Sequence, residues 1–172
     1  KPTYSISPST TSINEGETLT TSISTTNVAA NTTLYYSLSG TGITSSDFSS
    51  GALTGSGTVD SNGDFSFSHT LANDVTTEGN ETLNIKLFSD SARSTQVGTT
   101  SVVTITDTSK NPSYTISPST TSINEGDTLT TSISTTNVAA NTTLYWSLSG
   151  TGITSSDFSA GSLTGSGTVD SN

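Results

Sequence analysis

Ten of the fourteen acidic residues lie before Lys110, and seven of those fall in four short segments with no basic residue in the loops themselves. They are Glu15, Glu17, Asp47, Asp74, Glu78, Glu81 and Asp107. The densest segment, "NDVTTEGNETLNIKL" at Asn73–Leu87, places three acids within eight residues. Carboxylates are hard oxygen donors. Crowded together they repel, and turned toward an apolar interior they are costly unless something positive sits between them. Lys110 is the one cation beside these loops, and a single ammonium cannot neutralise so many. A cage of six to eight oxygens suits Ca2+, whereas Mg2+ wants a smaller, stricter octahedron and keeps several waters. The bland reading is an acidic loop end that only keeps the chain soluble.

Other chemistries find less support. His69 is the only histidine, and it alternates with Phe67 and Leu71 on one side of a strand pattern. A triad base must instead reach a nucleophile and an orienting acid. No base–nucleophile pairing stands out, so the chain reads as non-catalytic. The glycines of "LTGSGTV" precede neither a Lys nor a helix start, so they make no phosphate loop. Tyr36 and Trp146 share the parity of core leucines, which favours core aromatics over a sugar-stacking platform. Asn31, Asn80 and Asn141 each stand in a glycosylation-type sequon. The Thr-rich "TLTTSISTT" is too short and irregular for an ice-binding array.

Composition narrows the partners. The net charge is -10, with four basic residues against fourteen acidic, which argues against nucleic acid and against an anionic membrane surface. No apolar run approaches the 18 or so residues of a membrane span. Cys is absent, so neither disulfides nor thiolate metal sites enter. Ser and Thr supply 73 of the 172 residues, yet apolar residues alternate with them, as in pleated strands and unlike disorder.

The elements that must position the acids come from a repeat. Residues 1–62 return at 111–172 with seven differences, all mild, among them Glu17 to Asp127 and Tyr36 to Trp146. A period of 110 residues is a whole domain. The expectation is one complete domain at 1–110 and the N-terminal part of a second, near-identical one at 111–172, cut from a longer protein. Within the first, seven strands are expected. They are A at Tyr4–Ile13 with a break at Pro8, B at Thr18–Thr25, C at Thr33–Ser39, D around Ala52–Val59, E at Phe65–Leu71, F at Thr82–Phe88 and G at Thr100–Asp107. "DSNGDF" reads as a D–E hairpin with positive φ at Asn62-Gly63. Seven short alternating strands predict an all-β, immunoglobulin-like antiparallel sandwich. If successive strands alternate in direction, all seven acids above emerge at one end and Asp60, Asp64 and Asp90 at the other. Glu81 shares the parity of Leu83, Ile85 and Leu87, and Asp107 that of Val103 and Ile105, so both point inward. Glu17 faces away from Glu15 and reads as surface charge.

Four motifs in order resemble the Calx-beta domain, a calcium-binding β-sandwich of sodium–calcium exchangers and many bacterial surface proteins. They are "INEGETL", "SSDF", "NDVTTEGNETLNIKL", similar to that family's D-D-x-x-x-E-G-x-E-T-F run, and "VVTITDTS", similar to its closing I-x-D-D-D. The resemblance implies calcium ligation by Glu15, Asp47, Asp74, Glu78, Glu81 and Asp107. Glu125 and Asp157 are the second-copy equivalents of the first two, and they need partners that residues 111–172 lack. Asn73 replaces the first acid of the family's aspartate pair, and the terminal acid run is reduced to Asp107. Fewer ions are therefore expected than in the exchanger domains, one or two per complete repeat.

These readings combine into a calcium-stiffened tandem spacer of a long extracellular adhesin or surface filament, secreted and bacterial (cyanobacterial proteins included). Its partners are adjacent repeats, and possible further ones are a cell-surface ligand or a neighbouring chain. The rival readings are a glycan- or protein-binding receptor module, and a filament subunit completed by strands from a neighbouring chain.

Overall fold

A computed structural model describes all 172 residues. The chain divides into two compact units, Lys1–Lys110 and Asn111–Asn172.

Unit 1 is a β-sandwich. One sheet has the order β1-β3-β7-β5, built from β1 (Thr3–Pro8), β3 (Thr18–Thr26), β7 (Asp64–Leu71) and β5 (Phe48–Ser50). The facing sheet has the order β2-β9-β8-β4-β6, built from β2 (Ser12–Asn14), β9 (Gln96–Thr106), β8 (Glu81–Phe88), β4 (Thr33–Ser39) and β6 (Thr54–Thr58). Alternation drives the arrangement, because successive side chains of a strand face opposite sides. Leu19, Thr21 and Ile23 of β3 are buried between exposed Thr and Ser, and Leu83, Ile85 and Leu87 of β8 are fully buried. They meet Ile13, Leu38, Phe48, Leu71, Val103 and Ile105 in the main core, and Leu34 and Val59 in a second cluster. Each fully buried aliphatic side chain contributes about 1.5–3 kcal/mol relative to exposure.

Three expectations about the strands need correction. The first strand divides after Pro8, and its halves join different sheets. Proline has no N–H for a ladder, and β2 crosses over to pair with β9 in parallel, Ile13 opposite Ile105. This is the one parallel pairing in an otherwise antiparallel unit. The expected D strand is β6, which pairs with β4, and a short strand that was not expected, β5, precedes it and pairs with β7 in the opposite sheet. "DSNGDF" is consequently a crossover between sheets and not a hairpin. Only Gly63 takes a positive φ there, 93°, while Asn62 does not. Asp60 Oδ1 holds the turn by accepting the backbone N–H groups of Asn62 (2.8 Å) and Asp64 (2.9 Å).

His69 is 1% exposed among Tyr36, Phe48 and Phe67, with its Nε2 2.7 Å from the Ala52 carbonyl oxygen. Tyr36 stacks on Phe67 with ring centroids 3.8 Å apart. At the end of the sandwich opposite the acids, Arg93 donates through Nε to the Tyr36 carbonyl (3.0 Å) and through a terminal nitrogen to the Gly55 carbonyl (3.1 Å). It thereby clamps β4 to β6.

Unit 2 consists of two separate ribbons. β10 (Ser113–Pro118) pairs with β11 (Thr131–Thr136), and β12 (Thr143–Ser147) pairs with β13 (Thr164–Thr168). Trp146, expected in a core, is 41% exposed. The strand that covers its counterpart Tyr36 in unit 1 has no equivalent among residues 111–172.

Candidate metal centre

Five chain segments bring the acids of unit 1 to one end. Glu15 follows β2, where Gly16 (φ 82°) turns the chain toward β3. Asp47 closes a single 3-10 turn, Ser45–Asp47, and its Oδ2 accepts from both the N–H and the hydroxyl of Thr44. Asp74 and Glu78 lie on the β7–β8 loop, Glu81 opens β8, and Asp107 follows β9. The loops that carry five of these six acids meet in two carboxylate groups, and Asp107 is bonded to the β7–β8 loop.

Two triads form. Glu15, Asp74 and Glu78 offer one carboxylate oxygen each, all within 4.8 Å of one another, and so do Asp47, Glu78 and Glu81. Glu78 belongs to both. Oxygens at that spacing can share a single cation at Ca–O distances of about 2.3–2.6 Å.

The electrostatics show what this arrangement costs without a cation. Desolvation by the surrounding loops pushes the carboxyl of the largely exposed Glu78 above its ordinary value, and the charges of Asp74, Asp47, Glu15 and Asp107 push it further. Glu81 is raised by burial first and then by Asp47, Glu78, Glu15 and Asp74. Every charge acting on either group is another carboxylate.

Asp107 is 7% exposed. Its Oδ2 accepts the backbone N–H groups of Glu78 (3.1 Å) and Gly79 (2.8 Å), and its own N–H donates to Asn80 Oδ1 (3.1 Å). Its Oδ1 is buried without a hydrogen-bond partner. An anionic oxygen left bare in the interior fits a missing positive neighbour. The residues present therefore suit a hard divalent cation.

Glu15 also reaches the chain leaving the domain. Its Oε2 accepts the N–H groups of Thr108 (3.1 Å) and Ser109 (2.7 Å), and Ser109 Oγ accepts from Val75 N–H (3.1 Å). Glu17 stands in neither triad and instead accepts the N–H of Asn14 at 2.9 Å, closing its own turn. Glu125 and Asp157 of unit 2 line one shallow depression but belong to no triad. Asp157 is engaged by Thr154, as Asp47 is by Thr44.

The supporting residues carry no clear signal in the sequence. Asn80 and Ser109 orient Asp107 and the β7–β8 loop, but they read in the sequence as a sequon and a linker. Asn80 lies directly before the inward Glu81, which was the available signal.

No family model matches the chain, and no curated protein sequence matches it. Among solved structures, the chain is similar to one titled "Crystal structure of Apo-form Calx CBD1 domain", at 17% identity. The match covers 61% of this chain and 97% of that one, with a TM-score of 0.45. The resemblance to Calx-beta domains accordingly rests on the four sequence motifs. No helix of this chain is long and apolar enough to cross a membrane.

Proposed function

We propose that unit 1 is a non-catalytic calcium-binding module whose ions stiffen its junction with the chain that follows. In this reading it serves as a tandem spacer in an extracellular adhesin or surface filament. The observation that carries it is the shared Glu78: two carboxylate triads meet at one residue, with the bare Oδ1 of Asp107 on the same loop system. Two neighbouring ions bridged by Glu78 would satisfy both. Glu15, Asp47, Asp74, Glu78, Glu81 and Asp107 would hold them, and the metal supplies charge neutralisation and no reaction step.

The stiffening follows from Glu15. The carboxylate that belongs to one triad also grips the backbone of Thr108 and Ser109. An ion that fixes Glu15 fixes the exit segment after β9 with it. The near identity of residues 1–62 and 111–172 supports a spacer, because spacers need number more than diversity.

Lys110 makes this measurable, since it places a trypsin site just after the gripped residues. Cleavage after Lys110 should slow several-fold in calcium relative to chelator, while Arg93, at the far end, is cut at an unchanged rate. Equal rates after Lys110 in both conditions contradict the stiffening.

A further inference from the structure

Val75, on the β7–β8 loop, has a φ of 63°, in the left-handed region. Four of the other five non-glycine residues with positive φ are asparagines, which tolerate that region, and none has a branched Cβ. A valine held there is strained, and it persists only where its surroundings over-determine it. Packing does not hold it, since its side chain is 49% exposed. Hydrogen bonds do. Ser109 Oγ accepts the Val75 N–H at 3.1 Å, and Asp74 Oδ1 accepts the N–H of Thr76 at 2.8 Å. The strained residue is fastened on one side by a triad carboxylate and on the other by the segment that leaves unit 1.

That exit segment meets the acid loops at three places. Asp107 Oδ2 holds the N–H groups of Glu78 and Gly79, and Glu15 Oε2 holds those of Thr108 and Ser109. The third contact is the Ser109 hydroxyl on Val75. It alone involves no carboxylate. Ser109→Ala removes it while leaving the backbone N–H that Glu15 accepts.

We propose that Ser109 is a latch on the metal centre. Its hydroxyl holds Val75 in the left-handed turn, and that turn aims the Asp74 carboxylate at Glu15 and Glu78. The ion site is thereby regulated by the position of the exit segment. This deepens the calcium reading of unit 1 and rests on it. Ser109 and Val75 are positioning residues and not ligands. Released from Ser109, Val75 relaxes to the backbone that a branched residue prefers and carries Asp74 away from its triad. Calcium must then reimpose the strain in order to bind. The coupling is reciprocal: displacing the exit segment weakens calcium binding, and calcium holds the exit segment in place.

Glycine separates strain from a plain hydrogen bond, because it adopts the left-handed backbone at no steric cost. Calcium binding by the full chain is measured calorimetrically for the native sequence, Ser109→Ala, Val75→Gly and the double variant. Melting in chelator gives a second readout that needs no metal. Ser109→Ala should weaken calcium binding by about two- to tenfold, the fold-change that one hydrogen bond is worth. Val75→Gly should bind as tightly as the native chain, and the double variant should recover most of the loss, so the two changes are not additive. In chelator, Val75→Gly should melt higher than the native chain, because the strain is gone.

Ser109→Ala that binds calcium like a calcium-binding native chain overturns the latch and leaves the calcium reading standing. An equal loss with valine and with glycine at position 75 overturns the strain mechanism, as does a lower melting temperature of Val75→Gly in chelator. A native chain that binds no calcium overturns the calcium reading itself, and the regulation with it.

Discussion

Asp107 is fastened to the segment that carries Glu78. One carboxylate oxygen holds the backbone N–H groups of Glu78 and Gly79, and the other lies buried and bare. The residue after β9 therefore shapes the β7–β8 loop from beneath. It also fixes the height at which Glu78 joins the two triads.

Removing that anchor has a predictable cost. Asp107→Ala leaves two N–H groups without their acceptor and should destabilise unit 1 by about 1–3 kcal/mol in chelator. Asp107→Asn keeps an acceptor and should cost less in chelator, but it loses part of the calcium response. Denaturant unfolding of both variants, with and without calcium, checks the pair.

The acid cluster also sets a pH dependence. Glu78 and Glu81 have carboxyls raised above 4.5 by desolvation and by the charges of neighbouring carboxylates. A raised acid contributes stability that is fully present below its unfolded pKa and is lost as pH rises through its folded pKa. In chelator, unit 1 should therefore melt higher as pH falls from neutrality toward about 4.5. Asp60 and Asp90 act oppositely. Backbone N–H groups lower both below 3.8, so their contribution disappears only under more acidic conditions. Melting in chelator across pH 4.5–7 separates the first effect from the second, and the difference between the native chain and Glu78→Gln assigns it to the crowded acids. A melting temperature that falls on acidification in this window contradicts the crowding.

The two copies offer an internal control on packing. A Cβ added at Gly57 would meet the Phe65 ring at 2.1 Å, whereas at the equivalent Gly167 it meets nothing within 4 Å. Gly57→Ala should destabilise by about 1–3 kcal/mol through overpacking. Gly167→Ala should be neutral or slightly stabilising, since alanine narrows the unfolded ensemble. Thermal unfolding of the two single variants decides it, and equal losses contradict the open face of unit 2.

Much of this arrangement is legible in the sequence because alternation fixes which side chains turn inward. The parity of Leu83, Ile85 and Leu87 also places Glu81 at the mouth of the core, and the same counting places Asp107 beneath the loop. What escaped is what alternation does not encode. Phe48–Ser50 carries no alternation of its own, and its existence as a strand depends on a partner distant in sequence, β7. Pro8 signals a break but not that Ser12–Asn14 would pair in parallel with β9. The exposure of Trp146 follows from the absence of a covering strand, which no local pattern around Trp146 reveals.

Glu78 stands in both triads and is repelled by four neighbouring carboxylates. Glu78→Gln removes repulsion and one shared ligand together. It should raise stability in chelator and remove most of the calcium stabilisation, a reversal of sign that a purely structural residue would not produce.

The central claim is that the crowded end of unit 1 binds calcium. The most direct measurement is the melting of the full chain at fixed ionic strength with calcium, with magnesium and with chelator. Extracellular calcium modules have dissociation constants of roughly 0.1–1 mM. Ten to a hundred times that concentration adds about 1.4–2.7 kcal/mol per site. The account predicts a rise of several degrees in calcium, little change in magnesium, and loss of the rise in Glu78→Gln. Superimposable curves under all three conditions would mean that the acids are surface charge, and would contradict it.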